Sequence, residues 1–402
     1  MKPTAEHIPF LDYFRGVAIL SVFLFHSLGG SFVIDHLPWS GYFPGASPSK
    51  SIYLIFPAAF GFIGVPIFFA LSGFCIHLSH QRSANKDYRI FFIRRFFRIY
   101  PPYLLALLFF AFAFYPTRLD FVSGSSGDWN HFATSTKDLL SHLFLAHNFS
   151  NTYFFGVGNP AFWSIAVEAQ LYLLYPALLW LTDHLGWKKS LWIVGLIEIG
   201  LRGADGLLLL LYPMCHFSRW FTDSPLCFWF SWSIGAALAD AYLKGASLPF
   251  RSAWSFLWPL LLCGFYFFKP LSPLVFTMAA LSSTCAMAYY LSRPSPTLSL
   301  SSWRSHALEH LRWAGIVSYS AYLIHLPLLD ASLDFINWAF SHPLHPLIQF
   351  VFCLFTWLPI LGLSYLFYRY VECPSIALGK RVIKKIQKTT PAFAVPLKTM
   401  SV

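Results

Sequence analysis

Arg15 and His26 stand eleven positions apart in the first apolar run, close to three whole turns of an α-helix and about 16 Å along its axis. Both side chains therefore fall on one face. A neutral imidazole can accept the proton of an alcohol as that alcohol attacks a thioester, and an ordinary pKa of about 6.5 suits the task. Asp12, one turn before Arg15, can pair with the guanidinium. The face thus carries an anion-binding end and, deeper in the apolar run, a base. A lone histidine here would more simply be structural; Arg15 aligned beneath it moves the reading to function.

Further along, Glu168 and Tyr172 sit one turn apart in Trp163-Ser164-Ile165-Ala166-Val167-Glu168-Ala169-Gln170-Leu171-Tyr172. Three roles are open to Glu168: orienting His26, binding an acceptor, or satisfying a neighbouring arginine. Ser318, Tyr322 and His325 fall at offsets of four and seven, a polar stripe that faces either a cavity or a neighbouring helix. Arg94, Arg95 and Arg98 form a basic cluster whose guanidiniums can grip phosphate in bidentate fashion, although the same cluster serves as a topology signal. Gly64, Ser72 and Gly73 allow close approach of a backbone or a ligand, and Ser72 or His26 could carry a covalent acyl group. Glu372 reads as a structural partner for an arginine.

These groups lie in a chain made for lipid. Of its 402 residues 56% are hydrophobic and 11% charged, with mean hydropathy +0.56, against about 25% charged in an ordinary soluble domain. Ionisable residues inside such segments are expensive to bury and mark function by default. The formal charge of +11 is dispersed between apolar runs, so a nucleic-acid partner is not expected and the bilayer is. Seven cysteines show no C-x-x-C pair and no zinc spacing, and no metal is expected. Cys215 and Cys227 could pair across one loop, though Cys is equally a buried apolar residue. The first run has no small-residue cleavage site and is expected to be retained.

Runs of about 20 apolar residues occur near 11–30, 56–80, 99–116, 161–182, 189–211, 226–243, 253–268, 274–291, 313–338 and 346–371. The expected fold is all-α, a polytopic transmembrane bundle of about ten helices over 1–379, followed by a flexible basic tail, 380–402. With the N-terminus inside, inward segments hold Lys2, Arg82, Lys86, Arg89, Arg94, Arg95, Arg98, Lys188, Lys189, Lys244, Arg251, Arg293, Arg304, Arg312 and Arg369. They also hold the basic residues from Lys380 to Lys398. Outward segments hold only Lys50, Arg118, Lys137, Arg202, Arg219 and Lys269. Both termini are therefore expected in the cytoplasm, in a plasma-membrane protein. The longest outward loop, 117–160, with its run Ser123-Gly124-Ser125-Ser126-Gly127, serves either acceptor binding or simple connection.

Taken in order, Leu11-Asp12-Tyr13-Phe14-Arg15-Gly16 with His26, Phe68-Phe69-Ala70-Leu71-Ser72-Gly73-Phe74, Arg94-Arg95-Phe96-Phe97-Arg98-Ile99-Tyr100-Pro101, Trp163 to Pro176, Ser318 to His325 and Glu372-Cys373-Pro374 form a specific set. The chain resembles the membrane acyltransferase-3 family, whose members O-acylate sugars, polysaccharides, macrolides and other acceptors. The resemblance runs from about Pro9 to Pro374. It implies that Arg15 and His26 form the essential pair, that Arg94 to Arg98 lie near an acyl-CoA entrance, and that Glu168 and Tyr172 line the pocket. The sequence departs from the family at Tyr13, where glycine is common, and at Ala166 and Ala169, where serine and a second glutamate often stand. No esterase-like domain of the kind fused to some relatives is read here, so transfer by such a module would need a separate protein.

The expected reaction moves an acyl group, acetyl being the simplest, from acyl-CoA to a hydroxyl of a carbohydrate or other small acceptor. His26, Arg15 and Glu168 are the catalytic set. Arg94, Arg95, Arg98 and Ser72 take the donor, and Asp12, Tyr172, Ser318, Tyr322 and His325 contact substrate. A transporter or lipid flippase is the rival, since a polar stripe in a bundle also describes a translocation path.

Overall fold

The computed structural model describes residues 8–31, 56–83, 86–114, 129–157, 159–212, 215–248, 257–292, 302–340 and 344–389. Among these there is no strand. The chain runs through α1 (Pro9–Ser31), α2 (Gly64–Gln81, led in by a 3-10 stretch from Phe56), α3 (Tyr88–Leu108), α4 (Trp129–Leu143), α5 (Phe162–Leu211), α6 (Arg219–Thr222) and α7 (Trp229–Leu243). It continues through α8 (Leu257–Phe267), α9 (Val275–Leu291), α10 (Ser302–Ile316), α11 (Ser318–Ala339), α12 (Pro346–Phe367) and α13 (Cys373–Thr389).

The described residues of all ten expected segments are mainly helical, yet ten is only an approximate number of spans. Among the described residues six helices, or seven if the bent pair α10–α11 is one span, are long and apolar enough to cross a membrane. The 11 described residues of α8 reach about 16 Å, and 249–256 before them lie outside the described residues. The second half of α5 carries Glu198, Arg202 and Asp205, all buried. Arg202, counted above with the outward loops, is thus inside a helix. The expected span 313–338 is broken at Val317, where α10 and α11 meet at 81°. α5 is interrupted at Gly186, whose φ of 74° only glycine adopts readily.

Two boundaries bear on chemistry. α3 begins at Tyr88, capped by the Asp87 carboxylate accepting from the Arg89 amide at 2.8 Å. Arg94 to Arg98 are therefore helical, with Arg95 and Arg98 one turn apart on one face. The helix of α13 runs to Thr389, so the first ten residues of the expected tail are ordered helix; 390–402 and the loop 115–128 lie outside the described residues.

Small residues let the helices approach. A Cβ at Gly73 would overlap the Trp232 carbonyl and one at Gly235 the Ala70 carbonyl, which seats α2 on α7. Gly16 and Gly315 do the same between α1 and α10, and Gly64 between α2 and α1. Cys215 and Cys227 do not form a disulfide.

Candidate active site

Five helices leave a cavity of about 100 Å³ between them. α2 contributes one stripe, Val65, Phe68, Phe69, Ser72, Cys75 and Ile76, whose eleven-residue reach makes the cavity about 16 Å long. α5 adds Ser164, Glu168 and Tyr172 at intervals of four, and α3 adds Arg95 and Arg98. Arg15 of α1 and Ser318, Tyr319 and Tyr322 of α11 complete the wall. Residues drawn from opposite ends of the sequence thus share one chamber, because helical period brings each polar position to the same side of its own helix.

The wall holds three guanidiniums, Arg15, Arg95 and Arg98, and one carboxylate, Glu168. That excess of positive charge, inside a largely apolar bundle, suits an anionic ligand. Arg15 is fixed rather than loose: Nη1 donates to Asp12 Oδ1 at 2.9 Å and Nη2 to Cys75 Sγ at 3.1 Å. Tyr172 donates to Glu168 Oε1 at 2.6 Å, and Trp232 donates its indole N–H to Ser72 Oγ at 3.2 Å. Behind Arg98 lies Glu372, buried, accepting from Ser320 Oγ at 2.7 Å and with Arg98 as its foremost charged neighbour. The role read for Glu372 from sequence, a structural partner for an arginine, is the one it occupies.

Eight of the residues picked from sequence come together here: Arg15, Ser72, Arg95, Arg98, Glu168, Tyr172, Ser318 and Tyr322. Four do not. Asp12 stands behind Arg15. Arg94 lies in a separate small cleft with Ser79, His80 and Ser83, its Nη1 3.4 Å from Ser83 Oγ. His26 and His325 are off the cavity wall. Their rings are 5.1 Å apart, and the His325 ring is 5.3 Å from that of Tyr322, whose hydroxyl is 2.6 Å from Ser164 Oγ. Arg15 and His26 share a helix face, but Tyr322 stands between that cavity and the imidazoles.

The tautomer of His325 follows from its partner. Nδ1 is 2.8 Å from the Tyr322 carbonyl oxygen, which can only accept, so Nδ1 carries the proton and Nε2 the lone pair. Nε2 is buried and has no hydrogen-bond partner among the described residues. Residues missed from sequence include Cys75, Ser164 and Tyr319 on the wall. A second buried network was also missed: Glu198 accepts from Ser231 and Thr277, while Arg202 donates to the Cys227 and Pro273 carbonyls, both at 2.8 Å. The i, i+4 pair Glu198 and Arg202 inside an apolar run was the available signal. It ties α5 to α7 and α9 and does not touch the cavity.

Fold and site together define a multi-pass helical membrane protein with a buried, positively charged cavity. The profile of the acyltransferase-3 family, an acyltransferase domain, matches residues 8–369, and the chain belongs to that family. Among curated proteins it is similar to the peptidoglycan O-acetyltransferase OatA of Listeria monocytogenes, 27% identical over 351 residues that cover 81% of this chain and 50% of the relative. It is also similar to the putative peptidoglycan O-acetyltransferase YrhL of Bacillus subtilis, 28% identical over 357 residues, 81% and 49%. The chain spans about half the length of these relatives. No solved structure matches it.

Proposed function

We propose that this chain transfers an acetyl group from acetyl-CoA to a hydroxyl of a cell-wall carbohydrate, working in the plasma membrane with both termini in the cytoplasm. The observation that carries this reading is the juxtaposition at Tyr322: a chamber lined by Arg15, Arg95 and Arg98 on one side and the His26–His325 pair on the other. A cavity of about 100 Å³ admits the thioester end of a donor, not a whole coenzyme, so the phosphates stay toward the Arg94 end of α3.

In the reaction, an imidazole nitrogen of the His26–His325 pair takes the proton of the acceptor hydroxyl. The oxygen attacks the thioester carbonyl carbon, the C–S bond breaks, and the thiolate takes up a proton to leave as the free thiol. Arg15, held by Asp12 and Cys75 about three helical turns from His26, fixes an anionic part of the donor rather than the reacting carbonyl. Tyr172 fixes the Glu168 carboxylate for the acceptor's remaining hydroxyls. The names of the two relatives support peptidoglycan as the acceptor polymer.

The test is a purified protein in nanodiscs supplied with labelled acetyl-CoA and a soluble peptidoglycan fragment. Acetylated fragment and free thiol should appear together, and His26→Ala should lower the rate by about 100-fold or more. Movement of substrate across the disc without thiol release would favour a transporter and end this reading.

A further inference from the structure

α13 keeps its charge on one side. Lys380, Arg381, Lys384, Lys385 and Lys388 are all exposed, and the helix contains no carboxylate. The opposite side is occupied by α3: Ser375 Oγ donates to the Phe97 carbonyl, Gly379 lies so close to Phe97 that a Cβ would overlap it, and Ile383 is 7% exposed. The apolar stripe of this amphipathic helix is therefore filled by protein, and its basic face is turned outward.

The height of that face can be placed. Cys75, which accepts from Arg15, lines the cavity together with Ser318, and Ser320, two residues on from Ser318, donates to Glu372, so Glu372 and Cys75 lie at similar depth. Cys75 is six residues, about 9 Å, from the end of α2 at Gln81. Lys380 is eight residues, about 12 Å, beyond Glu372. By this count the five cations begin near the level where α2 ends, the level at which a headgroup layer around the apolar helices would start. They follow directly on α12, a span, through one π-helical turn at Tyr368–Glu372.

We propose that the basic face of α13 binds a layer of anionic lipid headgroups and so clamps α3 in place. Charge, position and the unbroken run from a membrane span all select lipid over a soluble polyanion. Each cation near an anionic surface is attracted within about a Debye length of 8 Å. Because α13 holds the Phe97 backbone and Glu372 faces Arg98, lipid held there steadies the turn of α3 that places Arg95 and Arg98 on the cavity wall.

The experiment places a benzophenone amino acid at Gln387, exposed among the cations, in the full chain. The protein is irradiated in nanodiscs of phosphatidylcholine with roughly 30% phosphatidylglycerol, and the captured lipid is identified by mass. Phosphatidylglycerol should make up about twice its mole fraction among the captured lipid. The excess should vanish at about 0.5 M salt, where screening is short, and in a chain with K380Q, R381Q, K384Q, K385Q and K388Q. Capture in proportion to mole fraction, capture of no lipid, or an excess untouched by salt would each overturn the proposal. The salt arm needs no variant, so a misfolded variant leaves the test intact, and no arm depends on acetyl transfer.

Discussion

The imidazoles of His26 and His325 face each other at 5.1 Å, tilted by 49°, with Phe23 stacked on the outer side of His325 at 5.3 Å. One ring comes from α1 and the other from α11, and only the fold makes them a pair. Since the Nδ1 proton of His325 is given to the Tyr322 carbonyl, its Nε2 is the one basic nitrogen it can present. Two imidazoles at this distance can pass a proton through one bridging hydroxyl or water.

His325→Phe therefore keeps the ring stack and removes the nitrogen. The rate of acetyl transfer should fall by roughly 10²–10⁴-fold, the range of acid–base contributions, while the KM for acetyl-CoA stays within about threefold because His325 is off the arginine-lined wall. Steady-state kinetics with a soluble acceptor checks this. A phenylalanine variant with near-normal turnover would make His325 a packing residue only.

Glu372 is 2% exposed and serves as both acceptor for Ser320 and counter-charge for Arg98. Glu372→Gln removes the carboxylate that accepts from Ser320 and whose charge Arg98 feels, and losing that charged hydrogen bond should cost roughly 1.5–3 kcal/mol. Ser320→Ala removes one hydrogen bond and should cost about 1 kcal/mol. Thermal melting in detergent should rank them in that order, and donor KM should rise with the first as Arg98 loses its set position.

The seat of α2 on α7 gives a paired test. A Cβ at Gly235 meets the Ala70 backbone, which cannot move aside, whereas at Gly200 it meets nothing within 4 Å. Gly235→Ala should lose roughly 1–3 kcal/mol by overpacking, and Gly200→Ala should gain up to about 1 kcal/mol from helix propensity. Opposite shifts in melting temperature are expected, and equal shifts would mean that the contact yields.

What could be read from sequence was set by period and solvent. Apolar runs of span length are dictated by lipid, so every segment appeared as helix. A polar residue in such a run has few places to face, so Glu168, Tyr172, Ser318 and Tyr322 stood out on polar stripes, while the choice between a cavity and a neighbouring helix stayed open until their helices were brought together. Depth and partner were not legible. Arg15 and His26 do share a face of α1, but whether they share a chamber is decided by Tyr322 of α11, which no spacing on α1 reveals. Arg94, Arg95 and Arg98 read alike as basic residues; the start of α3 at Tyr88, set by the Asp87 cap, turns Arg95 and Arg98 inward and Arg94 toward Ser83. Thiols look inert in a sequence, and Cys75 became relevant only as the acceptor for Arg15.

Away from the spans, His147 is fully buried and stacked on His142 at 3.8 Å, with Asp138 bound to the far ring. Burial first, and the neighbouring His142 second, hold the His147 pKa well below its ordinary value. In the unfolded chain the same group titrates near 6.5. Between the folded and the unfolded values the unfolded state binds the extra proton, so stability rises with pH there and is lost as pH falls below about 6.5. The loss is limited to one proton, about 1.4 kcal/mol per pH unit. The protection factors of residues 145–157, taken relative to the intrinsic exchange rate at each pH, should therefore fall between about pH 6.5 and 5. His147→Phe keeps a stacked ring without the titration and should flatten that dependence; an unchanged acid response in this variant would move the sensitivity to another group.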